Sequence, residues 1–225
     1  MSDGKPPSKS PSLDKALASL PIFPLRNVVL FPGTMLPLRV FEPRYRAMLA
    51  DCLSSHRALA IAQLLEGQDE WGQPLIAAVA GGGIIVEHEP LVDGRSNIVV
   101  LGQKRLALEV QPPDFHRIPY RTARARVLVD LTSDVPDGER TALASAAAMF
   151  SSEVQKYDPN FSFELSSRPD PGSLADSCAF HLVIDAAARQ AALEELDPRV
   201  RVRMVKEQLA LQHGTIMKVE GKVLN

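Results

Sequence analysis

Between residues 20 and 49 an apolar run is cut repeatedly by proline: Leu20-Pro21-Ile22-Phe23-Pro24-Leu25, Val28-Val29-Leu30-Phe31-Pro32-Gly33, Leu36-Pro37-Leu38 and Phe41-Glu42-Pro43-Arg44-Tyr45-Arg46-Ala47-Met48. Proline fixes φ and offers no N–H to a ladder, so it fits strand edges, bulges and turns and little else. Pro21, Pro24, Pro32 and Pro37 therefore predict short strands that bend between pairings, and Gly33 after Pro32 marks a turn. After Phe41 the period changes. Pro43 suits a first helical position, and Tyr45, Met48, Leu49 and Cys52 recur at the spacing of one helix face.

Strand chemistry continues to about residue 129. Residues 57–65 are apolar on both faces, as in a strand covered on both sides. Residues 75–87 form another, and Gly81-Gly82-Gly83 within it predicts a bulge or barrel corner. A phosphate cradle would need a helix directly after these glycines, but Ile84-Ile85-Val86 follows, which is strand. Asp93-Gly94 between two β-rich runs predicts a hairpin. Leu106, Leu108 and Val110 alternate with Arg105, Ala107 and Glu109, which predicts one core face and one mostly wet face. Arg121, Ala123, Ala125, Val127 and Val129 alternate with Thr122, Arg124, Arg126 and Leu128 in the same way. Many short antiparallel strands with turns between them predict a bent, partly closed barrel.

Helical signals take over after residues 133–138, where Pro136, Asp137 and Gly138 predict a linker. Leu143, Ala147, Phe150, Val154 and Tyr157 lay one apolar stripe along a helix. A long loop is expected over 158–172, then a capping box of Ser173 with Asp176, then a helix with Leu174, Cys178 and Leu182 on one face. Asp197-Pro198 is an N-cap and first-turn pair for a last helix that buries Val202, Val205 and Leu209. A frayed tail is expected from Gly214.

The proline-punctuated opening closely resembles the start of the Lon protease N-terminal, substrate-recognition domain. Leu91-Val92-Asp93-Gly94-Arg95-Ser96-Asn97-Ile98-Val99-Val100-Leu101-Gly102 with Arg105-Leu106 is similar to that family's hairpin, and Pro119-Tyr120-Arg121-Thr122-Ala123 and Gln190-Ala191-Ala192-Leu193-Glu194 also fit. The family usually has Gly-Thr where this chain has Gly81-Gly82-Gly83. The resemblance implies an α+β fold: a PUA-like bent antiparallel β-barrel followed by a C-terminal helical bundle. The expected organisation is a disordered tail over 1–17, barrel over 18–132, helical part over 133–213 and flexible tail over 214–225. Lon adds an ATPase and a Ser-Lys protease to this domain. Here no G-x-x-x-x-G-K-[ST] occurs, and barrel and helices occupy the 225 residues, so a stand-alone, non-catalytic relative is expected.

Composition narrows the partners. A net charge of −2 gives no overall attraction to nucleic acid or an anionic membrane. Two cysteines make no disulfide scaffold and suit a reducing cytoplasm. The first residues, rich in Ser, Pro and Lys, carry no signal-peptide core, and the apolar run over 75–86 is too short to span a bilayer.

Four residue sets have side chains that could carry chemistry or binding. Cys52 with His56 and Cys178 with His181 have the spacing of a Cys₂His₂ zinc site, but both cysteines fall on apolar helix faces, where a free thiol is a small hydrophobe. As a nucleophile, either cysteine lacks a local orienting acid and oxyanion hole. Arg117, Arg121, Arg124 and Arg126 beside Phe115 and Tyr120 would suit an RNA-binding PUA-like barrel, yet a solvated strand face is the simpler reading. Phe31, Pro32, Met35 and Pro37 sit on a bent loop where apolar side chains are hard to bury together. They are the candidate polypeptide-binding residues, with capping of the barrel as the competing role. The resulting expectation is a protein that needs no cofactor or metal. It binds exposed apolar segments of unfolded or partly folded polypeptides and hands them to a protease complex. RNA binding is the alternative and an unrecognised hydrolase the third.

Overall fold

The computed structural model describes residues 11–163 and 170–223, with side chains through residue 216. Two compact units divide between Val127 and Leu128. The first contains β1 (Leu20–Leu25), β2 (Met35–Val40), α1 (Pro43–Ser54), β3 (Ala58–Gln68), β4 (Pro74–Ile76), β5 (Val79–Pro90), β6 (Ser96–Val110) and β7 (Thr122–Leu128). The second contains α2 (Asp137–Gln155), α3 (Pro171–Leu182), α4 (Ala186–Glu194) and α5 (Pro198–Val223).

In the first unit the hydrogen-bonded order β1-β7-β6-β5-β3 is closed by pairing of β3 with β1, which makes a five-stranded barrel; β4 adds to β3 and β2 to β6. The closing pair is parallel, Ile22 opposite Ala60 through Leu25 opposite Gln63, where an antiparallel barrel was expected. The crossover through β2 and α1 permits it, because parallel neighbours need a connection of a dozen or more residues.

Both faces of β3 are buried from Ala58 to Gln63, as the composition there requires, while the strand is exposed from Leu65 to Gln68. Leu59 and Ile61 join Phe23, Leu30, Ile98 and Val100 in a core covered by Tyr45, Met48, Leu49 and Cys52 of α1. Ala58, Ala60 and Ala62 join Leu20, Ile22, Leu106, Ala123 and Ala125 in a second core. Leu13 and Ala16, each 3% exposed, belong to that second core. The expected tail is therefore packed from Leu13 onward, and residues 1–10 lie outside the described residues. Burying a Leu side chain stabilises by about 1.5–3 kcal/mol, which offsets part of the backbone entropy of about 1–2 kcal/mol per residue lost in ordering this segment.

Gly81 and Gly102 are required by close approach. A Cβ on Gly81 would lie 2.1 Å from the Leu30 carbonyl oxygen, and one on Gly102 would lie 2.0 Å from that of Phe31. The segment 28–33 thus crosses β5 and β6 at backbone distance. The expected bulge is present between Gly82 and Gly83, and a second irregularity between Ile85 and Glu87 leaves Val86 as the extra residue. Arg105, assigned to the wet face of β6, is buried.

In the helical unit α2 buries Leu143, Ala147 and Phe150. The stripe stops there: Tyr157 lies past the end of α2 and is exposed. The cap of α3 also differs from expectation. Asp170, not Ser173, is the N-cap, and its Oδ1 accepts from Ser173 N at 3.0 Å, with Pro171 at the first helical position. Asp176 is instead buried and ion-paired, its Oδ1 3.0 Å from Arg201 Nε. Asp197 caps α5 as read, accepting from Arg199 N at 2.8 Å. That helix continues through Gly214 to Val223, because one interior glycine costs only about 1 kcal/mol. Its largest fully buried side chain among the described residues is Arg201, with no exposed surface. Nη1 donates to Asp130 Oδ1 at 3.1 Å and to the Glu195 carbonyl at 2.7 Å, and Nη2 donates to Asp130 Oδ2.

Candidate functional site on the outer face of three strands

The four loop residues singled out by sequence meet different fates. Phe31 has 0% exposure, and its carbonyl accepts from both N (3.2 Å) and Oγ1 (2.8 Å) of Thr34, so the chain turns back and encloses the ring. Phe31 is therefore not a surface contact, which corrects its inclusion in the candidate set. Pro32 is half-buried, while Met35 is 51% exposed and Pro37 is also exposed. Pro37 tolerates mid-strand because β2 is paired with β6 alone, leaving the other side without a ladder that needs its N–H.

Strand alternation decides which β2 side chains face out. Leu36 and Leu38 pack against the α1-covered core and Val40 is within it, while Met35, Pro37 and Arg39 are exposed. Register extends these into rows across β2, β6 and β5. Met35 stands opposite Leu101 and thence Ile84, Pro37 opposite Val99 and Glu87, and Arg39 opposite Asn97 and Glu89. Val86, at the irregularity in β5, is 39% exposed. Pro37, Arg39, Glu87, Glu89, Asn97 and Val99 line a shallow hollow of about 550 Å³. Along its polar row Arg39 Nε donates to Asn97 Oδ1 at 3.3 Å, and Asn97 Nδ2 donates to Glu89 Oε2 at 2.8 Å. Alternation could have found Met35 and Pro37 together; Val99, Glu87 and Glu89 were not singled out, because only cross-strand register places them beside β2.

A tighter hollow of about 110 Å³ is lined by Pro24, Tyr45, Phe115, Pro119, Tyr120 and Arg121 among others. Arg121 and Tyr120 in it are each engaged by a neighbouring carboxylate. Arg121 Nη2 lies 2.8 Å from Asp69 Oδ2 and Nη1 donates to the Pro74 carbonyl at 2.7 Å. Tyr120 Oη donates to Asp51 Oδ2 at 2.7 Å, and burial together with this bond raises its phenol. Burial raises the Tyr45 phenol too, and Arg44 lies 4.5 Å over its ring. Neither phenol is positioned as a base near neutral pH.

The basic stretch, for which a solvated strand face was the simpler reading and RNA binding the alternative, keeps three of its four arginines exposed. Arg121 is buried in its ion pair, while Arg117 is exposed before β7 and Arg124 and Arg126 are exposed on it, with Arg124 3.8 Å from Glu109. The two Cys-His pairs show no activation. Desolvation pushes the Cys52 and Cys178 thiols up to about 12, so both remain protonated near neutrality. Cys52 Sγ donates to the Ala58 carbonyl at 3.4 Å, and His56 Nδ1 accepts from Ala58 N at 2.9 Å. His181 packs against Phe163 and Phe180. Among the described residues no group of three or more His, Cys, Asp or Glu side chains could hold a metal ion, and no helix is long and apolar enough to cross a membrane.

Over residues 19–210 the chain matches the family model of the ATP-dependent protease La (LON) substrate-binding domain. The chain belongs to this family. The Lon protease of Methylocella silvestris is 29% identical over 206 residues, covering 88% of this chain and 25% of that protein. Lon protease 2 of Sorangium cellulosum is 31% identical over 214 residues, covering 91% and 26%. The chain thus spans about a quarter of the length of these Lon relatives. Two solved structures share the fold. The Lon N-terminal domain protein from Xanthomonas campestris has a TM-score of 0.61 at 21% identity, covering 83% of this chain and 96% of that one. The N-terminal domain of Mycobacterium avium complex Lon protease has a TM-score of 0.62 at 17% identity, covering 85% and 98%. The matched Lon region is the substrate-binding one, and the α+β reading with its barrel stands.

Proposed function

We propose that this Lon-family chain is a non-catalytic, cytoplasmic polypeptide-binding module that recognises exposed apolar segments of unfolded or partly folded proteins and presents them to a protease. The binding surface in this reading is the outer face of β2, β6 and β5, with Met35 and Pro37 as its exposed apolar contacts. The observation that carries the proposal is Met35, half exposed on a regular strand beside Pro37 and a shallow hollow, in a chain of a substrate-binding family. Methionine is unbranched and polarizable, so it adapts to varied side chains as a surface for many sequences must. Ordering an unfolded client on binding costs entropy, so affinities per contact area are modest.

Fluorescence anisotropy of a labelled, permanently unfolded polypeptide titrated with the protein tests this reading. Saturable binding that resists nuclease and weakens in Met35→Ser, with the thermal midpoint preserved, is the expected result. Binding of equal strength in Met35→Ser would move the site elsewhere. ATP turnover or casein cleavage that follows the protein through successive columns would overturn the non-catalytic assignment.

A further inference from the structure

The hollow on the outer face carries three charged side chains, and they are not balanced. Arg39 and Glu89 both bond to Asn97 in one row across the strands, and Arg39 also acts on Asp93 at the neighbouring hairpin tip. At the hairpin tip Asp93 and Arg95 pair with each other. Glu87 stands in the next row, exposed, opposite Val99 and thence Pro37, and no described side chain neutralises it. One uncompensated carboxylate therefore adjoins the most apolar part of the face, where Met35, Pro37 and Val86 are exposed.

We propose that the preferred occupant of this face is an extended polypeptide segment in which a Lys or Arg lies beside apolar residues, with the basic group over Glu87. The inference rests on the polypeptide-binding reading above and adds a substrate class to it. An extended chain projects alternate side chains from one face at about 6–7 Å intervals, and successive rows of the sheet offer first the apolar Met35–Leu101 pair and then Pro37–Val99 with Glu87. An acidic client residue at the same place would meet Glu87 as a like charge. Apolar matching and charge matching thus act on one segment.

Three labelled ten-residue peptides, identical except for a central Lys, Gln or Glu within an apolar stretch, are titrated into the full chain, Glu87→Gln, Glu87→Lys and the distant control Glu70→Gln. Lys should bind about threefold tighter than Gln, and Gln tighter than Glu, the scale of one solvent-facing ion pair. Glu87→Gln should erase the order, Glu87→Lys should invert it, Glu70→Gln should preserve it, and high salt should compress it. Thermal midpoints of the Glu87 variants should match the parent, since the side chain is exposed. Equal binding of all three peptides by the parent would overturn the charge preference while leaving apolar recognition intact. A preference that survives in Glu87→Gln, or is lost in Glu70→Gln, would assign it to overall charge and overturn the role of Glu87. Failure of every peptide to bind would remove the polypeptide-binding reading itself.

Discussion

The barrel fills its second core largely with alanine and branched aliphatic side chains, and lets strands and loop meet at Gly81 and Gly102, where even one methyl group would strike a carbonyl oxygen. The helical unit closes instead around a guanidinium with no exposed surface, held by Asp130, Asp176 and the Glu195 carbonyl. Volume is the sensitive quantity in the first and charge in the second. The units should therefore respond oppositely to the same kinds of substitution.

The largest effect is expected from Arg201→Ala. Removing one partner of a buried ion pair costs about 3–5 kcal/mol because a carboxylate stays behind without its counter-charge, and Asp176 is almost as buried as the arginine. Hydrogen exchange should accelerate in α3 and α5 while β3 and β5 stay protected; equal acceleration in the strands would erase the contrast. Phe31→Ala comes next, at about 3–5 kcal/mol for a core Phe before relaxation of the loop. Here urea unfolding should show the loss, with strand amides the first to lose protection. Gly102→Ala adds a single methyl at 2.0 Å from the Phe31 carbonyl oxygen. Overpacking of this kind costs about 1–3 kcal/mol, and a variant with an unchanged urea midpoint would show that the 28–33 segment can lift away freely. Met35→Ser should be smallest, within about 0.5 kcal/mol of the parent, as for an ordinary surface change. A drop in its midpoint comparable to that of Phe31→Ala would mean that Met35 serves the core and not a client.

Local chemistry made much of the architecture readable. Two-sided apolarity marked β3, Asp93-Gly94 marked the turn between β5 and β6, and the Arg124/Arg126 alternation marked the wet side of β7. What stayed hidden depends on partners far along the chain. Leu13 and Ala16 read as tail because their burial depends on β-strand alanines more than forty residues away. Arg201 gave no signal, since Asp130 and Asp176 meet it only after the helices pack. At the candidate site, the alternation of β2 runs unbroken through Pro37, but which of its two phases faces out followed only from the pairing of β2 with β6, and Phe31 lies before β2, outside that alternation. Glu87 and Glu89 required that register as well.

The parallel closure of β1 on β3 also governs the order in which a growing chain can fold. β1 leaves the ribosome first, yet its partners begin at Ile22–Ala60 on one side and Pro21–Thr122 on the other. The nascent strand must wait for about half of the first unit before β3 can pair with one edge, and for nearly all of it before β7 can pair with the other. Such non-local pairing slows folding, because loop-closure entropy is lost before the contacts that compensate for it can form. The chain thus spends part of its own synthesis with an apolar, proline-broken strand in need of a partner.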